Sequence, residues 1–314
     1  MLTAAACHDP GVSRRHATGT ALLAVLGAAV LFGTTGSAQE LGPDGSTPWG
    51  VGTLRIVVGS IALWALAGEV PRWSHVPQSA RGAVILGALG VAVYQPGFFI
   101  GTDRSGVALG TMIALGSGPV FAGVITWMLD RRLPGRWWGA ATAVMVIGAS
   151  LIVTTGDAGS DGTGSPGIEP VGILASLSAG AGYALYAVMT RRAIVAGLAS
   201  TTALAWQFTL GAVVLSPALL TPLTGVPLEW AATGSGIVML LHLGVLTVGV
   251  AYLLYGIGLR VLEPSTAVSV TLAEPLTATL VATIVLGERL GGPGLIGAVL
   301  VIGGLGLLAR DQAA

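Results

Sequence analysis

Apolar runs of about 20 residues recur along the whole chain, and each is long enough to cross a ~30 Å hydrocarbon core. Ten can be read, near 18–36, 48–68, 82–101, 106–128, 136–155, 170–189, 200–220, 234–256, 264–286 and 292–309. Charged residues make up only 9% of the chain and hydrophobic ones 53%, against ~25% charged in an average soluble domain. A water-soluble fold of this size needs polar surface that is missing here. The expected class is an all-α, multi-pass membrane protein whose first partner is the lipid bilayer.

The charges that remain are sorted. The chain has no lysine, so arginine alone marks topology. With ten alternating spans and a cytoplasmic N-terminus, one side collects Arg14, Arg15, Arg72, Arg81, Arg131, Arg132, Arg136, Arg191, Arg192, Arg260 and Arg310. The other side receives Arg104 and Arg289, and Arg55 lies within a span. Positive charge gathers on cytoplasmic loops, so both termini are expected in the cytoplasm and the host is expected to be the plasma membrane. Trp49, Trp73, Trp137, Trp138 and Trp230 fall near span ends, as interfacial aromatics do. Net charge is zero, and nothing points to nucleic acid. The single cysteine, Cys7, permits neither an intrachain disulfide nor a cysteine metal site; no cofactor or metal is expected. The segment "SRRHATGTALLAVLGAAVLFGTTGSAQ" also has the pattern of an export signal. Its apolar part is longer than a signal core, so it is read as the first span.

The stretch "TGDAGSDGTGSPGIEP", Thr155 to Pro170, is rich in Gly, Ser and Asp and reads as a linker with five spans on each side. The expected division is a tail (1–17), a first five-helix unit (18–155), the linker (156–169), a second unit (170–309) and a short tail (310–314). The units resemble each other. An offset of 156 places Arg104 on Arg260, Gly118 on Glu274 and Pro119 on Pro275. An offset of 152 places Arg55 on Gln207 and Gly59 on Gly211. Because five is odd, the second unit is expected upside down in the membrane, an arrangement that recurs in transporters.

Ten spans in two copies, a polar linker, prolines within the fourth and ninth spans, and a closing "LGERL" followed by "IGAVLVIGGLGLL" resemble the EamA family of the drug/metabolite transporter superfamily. The resemblance covers roughly residues 20–154 and 170–309. It implies a basket of ten helices and export of small metabolites, and leaves the solute open among amino acids, drugs and other compounds. "DRRL" in the first copy departs from the family's acidic–basic–Leu pattern, and Gly118 stands opposite Glu274.

Within the spans, polar residues mark candidate sites. A carboxylate near the bilayer centre costs about 2.5–3.5 kcal/mol on insertion scales, so Glu274 is expected to face a cavity or a partner. Pro275 blocks a hydrogen bond to the Thr271 carbonyl, and Pro119 does the same to that of Leu115. Both kinks are expected to line the cavity. Arg55 has three readings: a pair with Glu274, a contact for an anionic group of the solute, or a side chain snorkelling to the interface. Its repeat mate Gln207, beside Trp206, is read as cavity-lining. Tyr94 and Gln95 in "YQPGFF", with Tyr183 and Tyr186 three apart on one helical face, supply stacking and hydroxyl groups; ordinary helix packing is the competing reading. His242 is either a proton relay or a hydrogen bond between helices. The glycines around Gly106, Gly110, Gly297, Gly303, Gly304 and Gly306 read as close-packing positions.

No P-loop, G-x-S-x-G elbow, H-E-x-x-H or C-x-x-C appears in the sequence. The expected function is secondary active transport of small metabolites by alternating access, as an exporter of amino acids or related solutes and drugs and not an enzyme, with a coupling proton as a further partner and a monomer or homodimer as the assembly. The alternatives are a non-transporting receptor or assembly factor, and an intramembrane hydrolase built on Ser117 and His242.

Overall fold

The computed structural model describes residues 10–68, 72–131, 134–135, 137–156, 169–220, 228–281, 283–284 and 291–313. Cys7, Arg132, Arg136, Arg289, the linker interior and the "LGERL" motif lie outside the described residues. No strand occurs among the described residues.

The helices, in chain order, are α1 (Pro10–Gly33), α2 (Thr35–Glu40), α3 (Pro48–Ala67), α4 (Gln78–Ser105), α5 (Val107–Asp130), α6 (Trp138–Gly156) and α7 (Pro170–Val195). They continue with α8 (Ser200–Leu215), α9 (Pro217–Leu220), α10 (Gly234–Leu241), a π-helical stretch (His242–Val250) and α11 (Ala251–Leu259). Last come α12 (Pro264–Val270), a 3₁₀ turn (Thr271–Ala273), α13 (Glu274–Val281) and α14 (Gly292–Ala313). Each of the apolar runs, among the described residues, falls on one helix or on consecutive helical pieces. Among the described residues, seven helical spans are long and apolar enough to cross a membrane, and Trp138–Thr154 and Ser200–Leu215 are shorter apolar helices.

Local chemistry sets several boundaries. The Thr47 side chain caps α3 by accepting from the Gly50 N–H at 3.2 Å, and Pro48 opens its first turn. Gly68, at φ 66°, ends that helix in the left-handed region where a side chain would be strained. Gly106, at φ 80°, separates α4 from α5.

Helix contacts pair off between the two copies. The α4–α7 contact has its counterpart in α1–α11, α5–α7 in contacts of α1 with α12 and α13, and α4–α8 in α3 with the π-helical stretch; α3–α8 and α6–α14 join matching helices. Glycines make the closest crossings. A methyl group added at Gly90 of α4 would lie 2.6 Å from the Gly182 carbonyl oxygen of α7, and one at Gly297 of α14 would lie 2.5 Å from that of Gly148 on α6. Small residues let membrane helices pack without a hydrophobic drive between them. Of the glycines read from the sequence as packing positions, Gly110 meets Gly101 and Thr102, and Gly304 meets Met145 and Ala141, whereas a methyl on Gly303 or Gly306 would meet nothing within 4 Å.

Polarity runs inward. Thr53, Arg55, Gln95, Ser176, Thr190, Gln207, Ser269 and Thr271 are buried, while Leu23, Leu174, Val195, Val299 and Ile284 stand exposed on the outer surface. Lipid accepts such a surface and water does not. The interior side chains bond across helices: the Trp138 indole N–H donates to Ser269 Oγ at 3.0 Å, and Thr142 and Ser269 hydroxyls meet at 2.9 Å.

Candidate functional site

At the centre lies a cavity of about 50 Å³ lined by Phe32, Thr35, Arg55, Tyr94, Gln95, Phe98, Leu115, Tyr183, Tyr186, Tyr252 and Glu274. Eight helices contribute: α1, α2, α3, α4, α5, α7, α11 and α13. Solute pockets usually measure ~300–1,000 Å³, so this conformation is a closed one.

Glu274 reaches the cavity because the ninth apolar run breaks. The α12 helix stops at Val270, and the turn Thr271–Ala273 gives α13 a new N-terminus with Glu274 in its first position. A carboxylate is favoured in the first turn of a helix by the exposed N–H groups and the dipole. Here the structure corrects one expectation. Pro275 does not leave the Thr271 carbonyl free, because the Glu274 N–H turns back to donate to it across the 3₁₀ turn. The Thr271 hydroxyl donates to the Val268 carbonyl at 2.8 Å and sits 2.6 Å from the Tyr183 hydroxyl. Pro275 is buried beside a separate small void and does not line the central cavity. Pro119 is buried within a continuous α5 and lines no part of the central cavity either.

Arg55 is 8% exposed, which is incompatible with snorkelling to the interface. It shares the cavity with Glu274, but among the described residues neither takes part in an ion pair within 4.0 Å. Its Nε and the Nε2 of the neighbouring buried Gln95 have no hydrogen-bond partner within the described structure. Donors that are buried and unsatisfied are costly unless something meets them.

The aromatic side chains form one connected cluster. Tyr183 contacts Tyr94, Tyr186 and Tyr255 at centroid distances of 5.9, 5.2 and 6.4 Å, and Phe208 lies 4.4 Å from Tyr252. The Tyr186 and Tyr252 hydroxyls bond at 3.0 Å. All five tyrosines of the chain belong to this cluster. Tyr252 and Tyr255 escaped the sequence reading, although their i, i+3 spacing repeats that of Tyr183 and Tyr186. Phe32, Thr35, Phe98 and Leu115 carried no signal that separates lining from ordinary core.

Three expected site residues lie elsewhere. Gln207 is fully buried against Gly87 of α4, its Oε1 accepting from Thr190 Oγ1 at 2.8 Å. Trp206 stacks edge-on between Trp64 and Trp73, both at 5.2 Å. His242 opens the π-helical stretch and bonds through Nε2 to Thr34 Oγ1 at 2.9 Å, between α1 and α2. That is the interhelical reading of the histidine.

A buried cation and a half-buried anion, unpaired with each other and walled by tyrosines, can hold a small molecule carrying complementary charges. The family model of the EamA-like transporter family matches residues 19–154 and again 170–310, one copy in each half. The chain belongs to the EamA-like transporter family. Among similar proteins, this family member is 34% identical over 291 residues, 93% of each chain, to "Uncharacterized transporter YwfM" of Bacillus subtilis. It is 23% identical over 237 residues, 75% of each chain, to "Uncharacterized inner membrane transporter YicL" of Salmonella typhimurium. A solved crystal structure shares the fold with a TM-score of 0.76 at 20% identity, covering 93% of this chain and 98% of the other. This EamA-like chain is therefore an all-helical, multi-pass membrane protein of a transporter family.

Proposed function

We propose that the chain is a secondary active transporter that moves small metabolites, amino acids or related solutes and drugs, out across the plasma membrane by alternating access. Ten crossings in two inverted five-helix copies, with both termini cytoplasmic, are the architecture this reading requires. The paired-off helix contacts and the twofold family match support it. One observation carries the function: the closed central cavity places Glu274 and Arg55 together without an ion pair between them. Two uncompensated charges are expensive away from water, and a solute that bears an ammonium for Glu274 and an anionic group for Arg55 and Gln95 offsets both. A proton competing for Glu274 supplies the coupling.

Counterflow in proteoliposomes tests the proposal directly. Purified protein loaded with unlabelled amino acids or cationic drugs should accumulate the labelled compound transiently. A receptor or assembly factor exchanges no solute, so a flat panel overturns the reading. A reporter that is active only outside the cytoplasm should stay silent when fused after Ala314; a signal there removes the ten-crossing topology.

A further inference from the structure

A second polar pocket, of about 290 Å³, is lined by Trp64, Arg72, His75, Val76, Gly197, Leu198, Ala199, Thr202 and Trp206. It shares no lining residue with the central cavity. The C-terminal end of α3, the short turn Trp73–His75 and the α7–α8 connection form its walls. Gly197, at φ 94°, lets that connection turn sharply beside it.

The pocket is built rather than incidental. Its indole walls are held edge-on in the Trp64–Trp206–Trp73 stack, and the Trp64 indole N–H is already engaged by Thr209 Oγ1 at 2.9 Å. Beneath it, Val76, Ala80, Val84, Ala193, Leu198 and Ala203 form an apolar cluster separate from the main core. At the mouth stand Arg72 and His75, both exposed, and no acidic residue lines the pocket. Ala199 and Thr202 bring in the start of α8, where the N-cap position is Ala199 and no side chain caps the helix. A helix N-terminus adds to the attraction for an anion, and a guanidinium favours oxyanions with several acceptor oxygens.

We propose that this pocket binds a phosphate-bearing ligand, its phosphate held by Arg72 and His75 and its less polar portion laid against Trp64 and Trp206. The chemistry has two sources, a phospholipid headgroup and a soluble phosphate compound. Either would tie α3 to the α7–α8 connection, about 14 Å along α3 from Arg55.

The test uses the full-length protein and its tryptophan fluorescence. In one arm, nanodiscs of a phosphate-free glycolipid are titrated with inorganic phosphate and pyrophosphate. In the other, the phosphatidylglycerol content of the same nanodisc is raised with no soluble phosphate present. Saturation in the first arm assigns a soluble ligand, and saturation in the second alone assigns a headgroup. The double variant Arg72→Gln/His75→Gln should weaken the saturable response at least ~10-fold, as expected when charge-assisted bonds are lost. Arg104→Gln, an exposed arginine bonded to Glu169 elsewhere, should leave it unchanged. Both altered side chains are exposed, so folding is not at stake. No saturable response in either arm, or one that the double variant retains, overturns the assignment.

Discussion

Residues 107–130 and 264–281 occupy matching places in the two copies, each with a proline in the middle, yet they fold differently. The α5 helix runs unbroken through Pro119, whereas the second copy stops at Val270, turns, and restarts at Glu274 just before Pro275. A proline alone therefore does not break the helix. The residue four positions earlier differs: Leu115 in the first copy, Thr271 in the second. A threonine hydroxyl competes for backbone groups, and Thr271 bonds the Val268 carbonyl and the Tyr183 hydroxyl while its own carbonyl takes the Glu274 N–H. Leucine offers no such alternative. The adjacent position differs as well. A methyl on Gly118 would already touch Tyr183 and Val268 at 3.3 Å, whereas Glu274 points into the cavity from a fresh helix start. The lesson is that matched positions of the two copies take different places: Gly118 sits close against Tyr183 and Val268, while Glu274 lines the central cavity.

The sharpest way to break this asymmetry is to remove its charge. Glu274→Gln is expected to insert and still exchange solute, but to lose pH-driven uphill transport at least ~10-fold, the scale of one charge-assisted bond. Counterflow and pH dependence both at wild-type level would make the glutamate structural. Next in size, Arg55→Ala should impair transport about as severely, and the Arg55→Ala/Glu274→Gln double variant should be little worse than either, because coupled sites are non-additive. Additive losses in the same uptake assay would show that the two charges act independently.

A paired substitution sharpens the contrast between the helices themselves. Pro275→Ala lets the second copy regain an α-helical bond and should slow exchange severalfold, while Pro119→Ala in the already continuous α5 should change it little. Equal effects would mean that the break is not what matters. The smallest effect is expected from Thr271→Val, which leaves the buried Tyr183 hydroxyl without its 2.6 Å partner. A loss of about 1–3 kcal/mol, read as a lowered unfolding temperature, should accompany a modest change in transport; an unchanged temperature would show that this bond does not hold the turn.

Much of the fold was legible because its signals are local. Run length and the Gly/Ser/Asp-rich stretch that ends at Pro170 mark helix limits from a few neighbouring residues. The lining of the central cavity was legible where a residue type is intolerable in lipid, as with Glu274 and Arg55. It was not legible where the decision rests on which way one helix face turns. Trp206 and Gln207 are adjacent, yet one stacks on Trp64 and Trp73 and the other bonds Thr190. The space for Gln207 comes from Gly87, on another helix, and no pattern along α8 records that.

By itself, then, the order of residues determined the all-helical membrane class and the twofold family repeat, since these follow from hydrophobic length and internal similarity. The tertiary structure alone decided that Pro119 stays within a continuous helix, that the Thr271 carbonyl is taken rather than free, and that His242 meets Thr34. It also gathered all five tyrosines into one cluster, four of them lining the central cavity. The physical reason is the same in each case: these outcomes depend on which partner a polar group finds across the bundle, and that partner lies tens to hundreds of residues away along the chain.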